Sequence, residues 1–152
     1  MLLVACNEVE VSEEGEIELT QEEVNSVVEV AAQNVKEKEL LASIFEEKYG
    51  VHLEDLFVSG NDISINMKYG NLNEDEIKQL ASEVAYDIQL QNIGKGVRFA
   101  LYQPTIDKYG KEDYNLGMEM EVSAETLAKI NFGNFNIQDI DEVAEKYVLY
   151  NH

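Results

Sequence analysis

Residues 51–69 read VHLEDLFVSGNDISINMKY. Ile63, Ile65, Met67 and Tyr69 alternate with Asp62, Ser64, Asn66 and Lys68, the period-two pattern of a strand with one buried and one wet face. The apolar run upstream, Val51 to Val58, reads as a second strand. SGND around Gly60 is a turn signal between them, so the pair predicts a hairpin. Strands with one apolar side imply a sheet covered on a single face.

Downstream of this hairpin, Asn73 is placed to cap a helix whose first turn holds Asp75 and Glu76. Ile77, Leu80, Ala81, Val84, Ala85 and Ile88 mark its inward side, and the pattern stops near Gly94. After GKG, VRFALYQ predicts a strand closed by Pro104. The loop DKYGKED then leads to YNLGMEMEV, where Tyr114, Leu116, Met118, Met120 and Val122 alternate with polar residues and glycine. A short helix is expected after Ser123, and a final one from Ile137 to Leu149, with Ile140, Val143, Ala144, Tyr147 and Val148 inward.

Upstream, Thr20 followed by Glu23 is a capping-box signature. Val24, Val28, Ala31, Val35, Leu41 or Ala42, and Phe45 recur at helical steps until Gly50, which predicts one long helix or two with a break near Lys36 to Glu39. The order is helix, hairpin, helix, hairpin, helix. We therefore expect a two-layer α+β sandwich: a mainly antiparallel, four-stranded sheet with helices on one face. Residues 20–152 would form this single domain.

Length and composition agree with that reading, since 152 residues with 45% hydrophobic content suit one real core. The 31 acidic and 11 basic residues give a formal charge of −20. That balance argues against naked nucleic acid as a partner, because its phosphates are met by clustered Lys and Arg. An anionic membrane surface would also repel the folded body. Acidity of this degree favours basic partners or a cation-rich extracellular medium. No run of about 18 apolar residues is present to span a bilayer, and a single cysteine excludes an internal disulfide.

That cysteine, Cys6, follows Leu3, Val4 and Ala5. The four residues resemble the lipobox of bacterial lipoproteins, in which aliphatic and small residues precede the modified cysteine. The resemblance covers this terminus only. It implies that a diacylglycerol is attached to the Cys6 thiol and that a peptidase cuts after Ala5, so that residues 1–5 are the remnant of a signal peptide. Residues 6–19 would then be an acidic tether: from Asn7 to Glu23 there are eight Glu and no Lys or Arg, and self-repulsion favours an extended, solvated chain. At about 3.3–3.6 Å per residue, residues 7–20 would reach about 45 to 50 Å. The alternative is that Ile17 and Leu19, alternating with Glu16 and Glu18, form an edge strand.

Little in the sequence points to catalysis. His52 and His152 are the only histidines, which leaves a nucleophilic triad with His52 alone as base. GxSxG, HExxH, CxxC and P-loop motifs are absent, and no catalytic residue, cofactor or metal is expected. GNLNEDE offers oxygen ligands at Asn71, Asn73 and Asp75, but the glycine and terminal Glu of a calcium loop are out of register. Helix capping by Asn73 is the stronger expectation.

Two candidate partner-binding surfaces remain. NFGNFN, residues 131–136, sets Phe132 and Phe135 among Asn and Gly, either as a recognition loop or as rings plugging the core. The second is the helix-free face of the sheet. If Ile65, Phe99, Leu116 and Met118 face the helices, then Asn66, Lys68, Arg98, Ala100, Tyr102, Asn115, Gly117 and Glu119 face outward. Arg98 and Tyr102 are residue types enriched at interface hot spots. The expected function is a non-enzymatic, extracytoplasmic surface lipoprotein, held to the bacterial cell membrane through lipidated Cys6, whose acidic domain binds a protein or cell-envelope component. The alternative is a cytoplasmic acidic inhibitor that mimics nucleic acid and fills a basic groove of its partner.

Overall fold

A computed structural model describes residues 18–151. Cys6, the signal-peptide remnant and most of the tether lie outside the described residues. The described chain falls into two compact units divided between Glu37 and Lys38. In the first, Glu18 to Thr20 are coil with Leu19 exposed, and the capping box forms as expected. Thr20 N donates to Glu23 Oε2 at 2.8 Å and Glu23 N to Thr20 Oγ1 at 3.2 Å. Helix α1 (Gln21–Tyr49) runs without a break. Its valines at 24, 27, 28, 30 and 35 are 38% to 59% exposed, so the apolar stripe expected to face a core does not do so over these turns.

The second unit holds a five-stranded sheet in the order β1 (Leu53–Ser59), β2 (Asp62–Lys68), β3 (Gly96–Ile106), β4 (Glu112–Val122) and β5 (Lys146–Leu149). Three of the pairings are antiparallel, and β2 runs parallel to β3. The sheet is therefore mixed and has one strand more than expected. Parallel neighbours require a crossover, supplied by α2 (Glu74–Leu90). Asn73 caps it, accepting from Glu76 N at 2.9 Å while its own N–H donates to Glu76 Oε2 at 2.8 Å.

The extra strand corrects the expected final helix. After a 3-10 turn at Ile137–Asp139 and one helical turn, α4 (Ile140–Val143), the chain turns extended at Ala144 and pairs along β4. Ile140, Val143, Ala144, Tyr147 and Val148 fit a 3.6-residue period. As a strand, however, Lys146 to Leu149 supply hydrogen-bond partners to an edge of β4 that a helix would leave open. Pro104 is a second correction, lying inside β3 rather than closing it. It sits beyond the end of β2, where β3 is paired on one side only, so its missing N–H breaks no ladder there.

Ile63, Ile65, Met67, Val97, Phe99, Leu101, Met118, Met120 and Val122 are buried on one side of the sheet with the inward row of α2. Leu127 of α3 (Ala124–Lys129), Ile140 of α4, and Leu41, Phe45 and Tyr49 of α1 complete the same core. The last turn of α1 is fastened to α2 through a buried carboxylate. Asp87 accepts from Tyr49 Oη at 2.6 Å and pairs with Lys48 Nζ at 2.8 Å.

Gly96 opens β3 where no side chain fits. A Cβ there would meet Val122 O at 2.6 Å and Ala124 N at 2.9 Å, whereas at Gly70 it would meet nothing within 4 Å. Gly96→Ala should therefore cost about 1–3 kcal/mol in urea unfolding, the usual penalty of overpacking. Gly70→Ala should leave the midpoint nearly unchanged.

Candidate functional site

The face of the sheet opposite the helices carries the candidate site. Across β2, β3, β4 and β5 the register sets Ser64, Arg98, Glu121 and Lys146 in one row, and Asn66, Ala100, Glu119 and Val148 in the next. Phe57 and Asp55 of β1 extend these two rows. Ala100 and Ser64 are short beside Arg98, Glu119 and Glu121. The difference in side-chain length leaves a depression of about 200 Å³ lined by these residues and Asn66.

Charges around it are arranged in pairs. Arg98 Nε lies 3.2 Å from Asp62 Oδ2 and 3.9 Å from Glu121 Oε1, with its side chain 57% exposed. Glu119 Oε2 accepts from Tyr150 Oη at 2.6 Å and pairs with Lys146 Nζ at 3.0 Å. The hydrogen bond from Tyr150, followed by that from Lys146, holds the Glu119 carboxyl below its ordinary range. Beyond the depression, Lys68 pairs with Glu54 at 3.5 Å and lies 5.2 Å from the Tyr114 ring centre.

The expected membership of this face needs one revision. Leu101 pairs with Met118 but Tyr102 pairs with Leu116, so Gly117 is the extra residue of a β-bulge. Past the bulge the alternation reverses: Leu116 and Tyr114 join Tyr102 on the helix-free face, and Asn115 leaves it. Gly117 does not open space for a partner either. It is buried, and a Cβ there would meet Gln103 Oε1 at 2.7 Å. Asn66, Lys68, Arg98, Ala100, Tyr102 and Glu119 fall on the face as expected. Lys146 was missed because its segment reads as helix, and Tyr150 because it follows directly on that segment, while an isolated glycine inside a strand pattern was the available sign of the bulge.

Phe132 and Phe135 stand on the other side of the sheet and are not brought together with Arg98 and Tyr102. Both rings are half-buried against the core. Phe132 lies 5.2 Å from Tyr86 of α2, and Phe135 packs edge-on to it at 5.7 Å. Phe135 also borders a shallow groove of about 510 Å³ with Thr126, Lys129, Ile130, Asn131, Asn134 and Val143. His52 is engaged structurally, its Nδ1 3.0 Å from Lys68 O and its ring stacked 3.9 Å from Tyr69. Among the described residues no three His, Cys, Asp or Glu side chains are grouped to hold a metal ion, and no helix is long and apolar enough to cross a membrane.

In comparison with known proteins, no family model matches the sequence, no curated protein matches it, and no solved structure matches it.

Because a carboxylate whose folded pKa is depressed stabilises the fold above its unfolded pKa, the Glu119 contribution is present at neutral pH. It is lost as pH falls through and below the carboxylate range. Tyr150→Phe removes the largest cause and should move Glu119 up towards its reference value of 4.5. A carbon-detected NMR titration of the Glu119 carboxyl measures this directly.

Proposed function

We propose that this chain is a non-enzymatic binding module that presents the helix-free face of its sheet to a protein or cell-envelope partner, and that Cys6 anchors it by lipid to the outside of a bacterial membrane. One observation carries the binding half of the proposal: a concave patch on the sheet face opposite α2, with exposed Arg98 on its rim and Tyr102, Tyr114 and Leu116 beside it. Tyrosine gives a large contact surface at low cost in side-chain freedom, and arginine adds a planar head with several hydrogen-bond donors. Three acidic residues, Asp62, Glu119 and Glu121, stand with Arg98 and Lys146 around the depression. A partner with both a basic and an acidic group could replace these internal pairings with its own.

The anchoring half rests on Leu3, Val4, Ala5 and Cys6. Two acyl chains on one thiol give stable attachment where a single chain binds reversibly. The acidic stretch that follows acts as a spacer which an anionic surface repels.

Both halves have direct tests. Wild-type protein made in its host with a clickable fatty acid should carry label and resist washing from membranes, and Cys6→Ala should lose both properties. Soluble, unlabelled wild-type protein would refute the anchor and favour the cytoplasmic inhibitor, for which the charge of −20 is the supporting observation. Replacing Arg98 and Tyr102 together by Ala should weaken capture of a partner from envelope extract at least about tenfold, as expected for two hot-spot residues, with little change in melting temperature. Unchanged capture, lost instead on replacing Phe132 and Phe135, would move the site to the 131–136 loop.

A further inference from the structure

Strand β1 stands at one margin of the sheet, and among the described residues no strand pairs with its outer side. Which backbone groups that side presents follows from the register. From Asn61 to Tyr69 the odd-numbered residues turn to β3, as the bonds from Gly96 N to Asn61 O at 2.8 Å and from Tyr69 N to Tyr102 O at 3.1 Å show at the two ends of β2. The even-numbered Asp62, Ser64 and Asn66 therefore turn to their partners Ser59, Phe57 and Asp55 on β1. Directions alternate along an antiparallel strand, so the N–H and C=O groups of Leu56 and Val58 point away from the sheet. These groups need hydrogen-bond partners, and one more strand is the arrangement that supplies them together.

The edge is also walled. Lys38, Ala42 and Glu46, at successive steps of four on α1, stand across from Leu53, Asp55 and Leu56 and border a groove of about 380 Å³. Glu54, also at this groove, is paired with Lys68, whereas Glu46 and Asp55 have no ion-pair partner among the described residues. The two sides of the edge differ. On the helix-free side Phe57 is 48% exposed, and Lys38 Nζ already lies 5.5 Å from the centre of its ring, which shows the sign of charge that this side accepts. On the other side Leu56 and Val58 continue the rows of buried Ile65 and Ile63.

We propose that β1 accepts an extended segment of a partner protein, in which basic and aliphatic residues alternate, as a sixth strand of the sheet. Backbone bonds to Leu56 and Val58 hold the segment, and its side chains fall alternately on the two sides. The aliphatic ones meet Leu56, Val58 and Ala42. The basic ones meet the Asp55 carboxylate and the Phe57 ring. Charge decides against this chain's own amino-terminal stretch as the occupant, since its eight Glu between Asn7 and Glu23, with no Lys or Arg, have the wrong sign. This contact surface lies beside the depression around Arg98 and does not depend on it.

The test uses the full, unlipidated chain carrying Cys6→Ala and a short fluorescent peptide of alternating lysine and valine. Anisotropy should show binding. Amide hydrogen exchange followed by NMR should find Leu56 and Val58 fast in the free protein and slowed at least about tenfold by saturating peptide, because a bonded amide exchanges only on opening. A glutamate–valine peptide should bind at least about tenfold more weakly, and so should the lysine–valine peptide with methylated backbone nitrogens, which keeps its charge and loses its donors. Replacing Glu46 and Asp55 together by Lys should weaken the lysine–valine peptide by a similar factor, with helix and strand content unchanged by circular dichroism. Equal binding of the methylated peptide would reduce the effect to attraction by net charge and overturn the proposal. So would Leu56 and Val58 amides already protected in dilute free protein, protection that rises with protein concentration alone, as a second copy on this edge would give, or peptide-induced shifts centred on Arg98 and Glu119.

Discussion

The parallel pairing of β2 with β3 is the contact on which the rest of the second unit depends. Each hairpin, β1 with β2 and β3 with β4, presents only half of a buried surface. Laid side by side, Ile63, Ile65 and Met67 meet Val97, Phe99 and Leu101 in register, and all six side chains are buried. Because parallel strands cannot be joined by a tight turn, the connection has to be a crossover, and its 17-residue helix α2 covers the apolar side. The turn of the first hairpin is also held to the start of β3, where Gly96 N donates to Asn61 O at 2.8 Å and Lys95 Nζ to Gly60 O at 2.6 Å. The same joint sets Ser64 and Asn66 beside Arg98 and Ala100, so core and candidate site share one cause.

Around that site the charges are paired but wet. Exposed ion pairs each contribute little to stability, so Arg98–Asp62 and Lys146–Glu119 act chiefly to fix side-chain positions. Glu145 plays a comparable part at the start of α3. Burial alone would raise its pKa, but hydrogen bonds from Ser123 and Thr126 outweigh that and hold it at about 2. It thereby couples the cap of α3 to the residue preceding β5.

Where local chemistry and tertiary packing agree, the elements were legible in the residues. The alternation Ile63–Ile65–Met67 is strand β2, and α2 has both the cap and the inward row that its spacing implies. Where two periods fit the same residues, sequence could not arbitrate. Ile140, Val143 and Ala144 leave the helical pattern midway, and what decides for Lys146 to Leu149 is an open edge on β4, a partner more than twenty residues away. In α1 the period was right and its burial was not, since spacing shows which side is apolar and says nothing of what meets it. The candidate site was legible only as far as strict alternation holds, from Arg98 to Tyr102. One residue later the Gly117 bulge exchanges Leu116 and Tyr114 for Asn115.

The fastening of α1 to α2 through Asp87 sets an alkaline limit on the fold. Tyr49 is driven above its reference pKa of 10.0, first by burial and then by its hydrogen bond to the Asp87 carboxylate. The folded protein thus keeps this phenol protonated at a pH where the unfolded chain has already released the proton. Above pH 10 the unfolded state is the one that gains from deprotonation, so the free energy of folding shrinks steadily as alkali is added. Tyr147, pushed up to about 12 chiefly by burial, acts in the same sense, so a strongly acidic protein carries in its buried phenols a sensitivity to base.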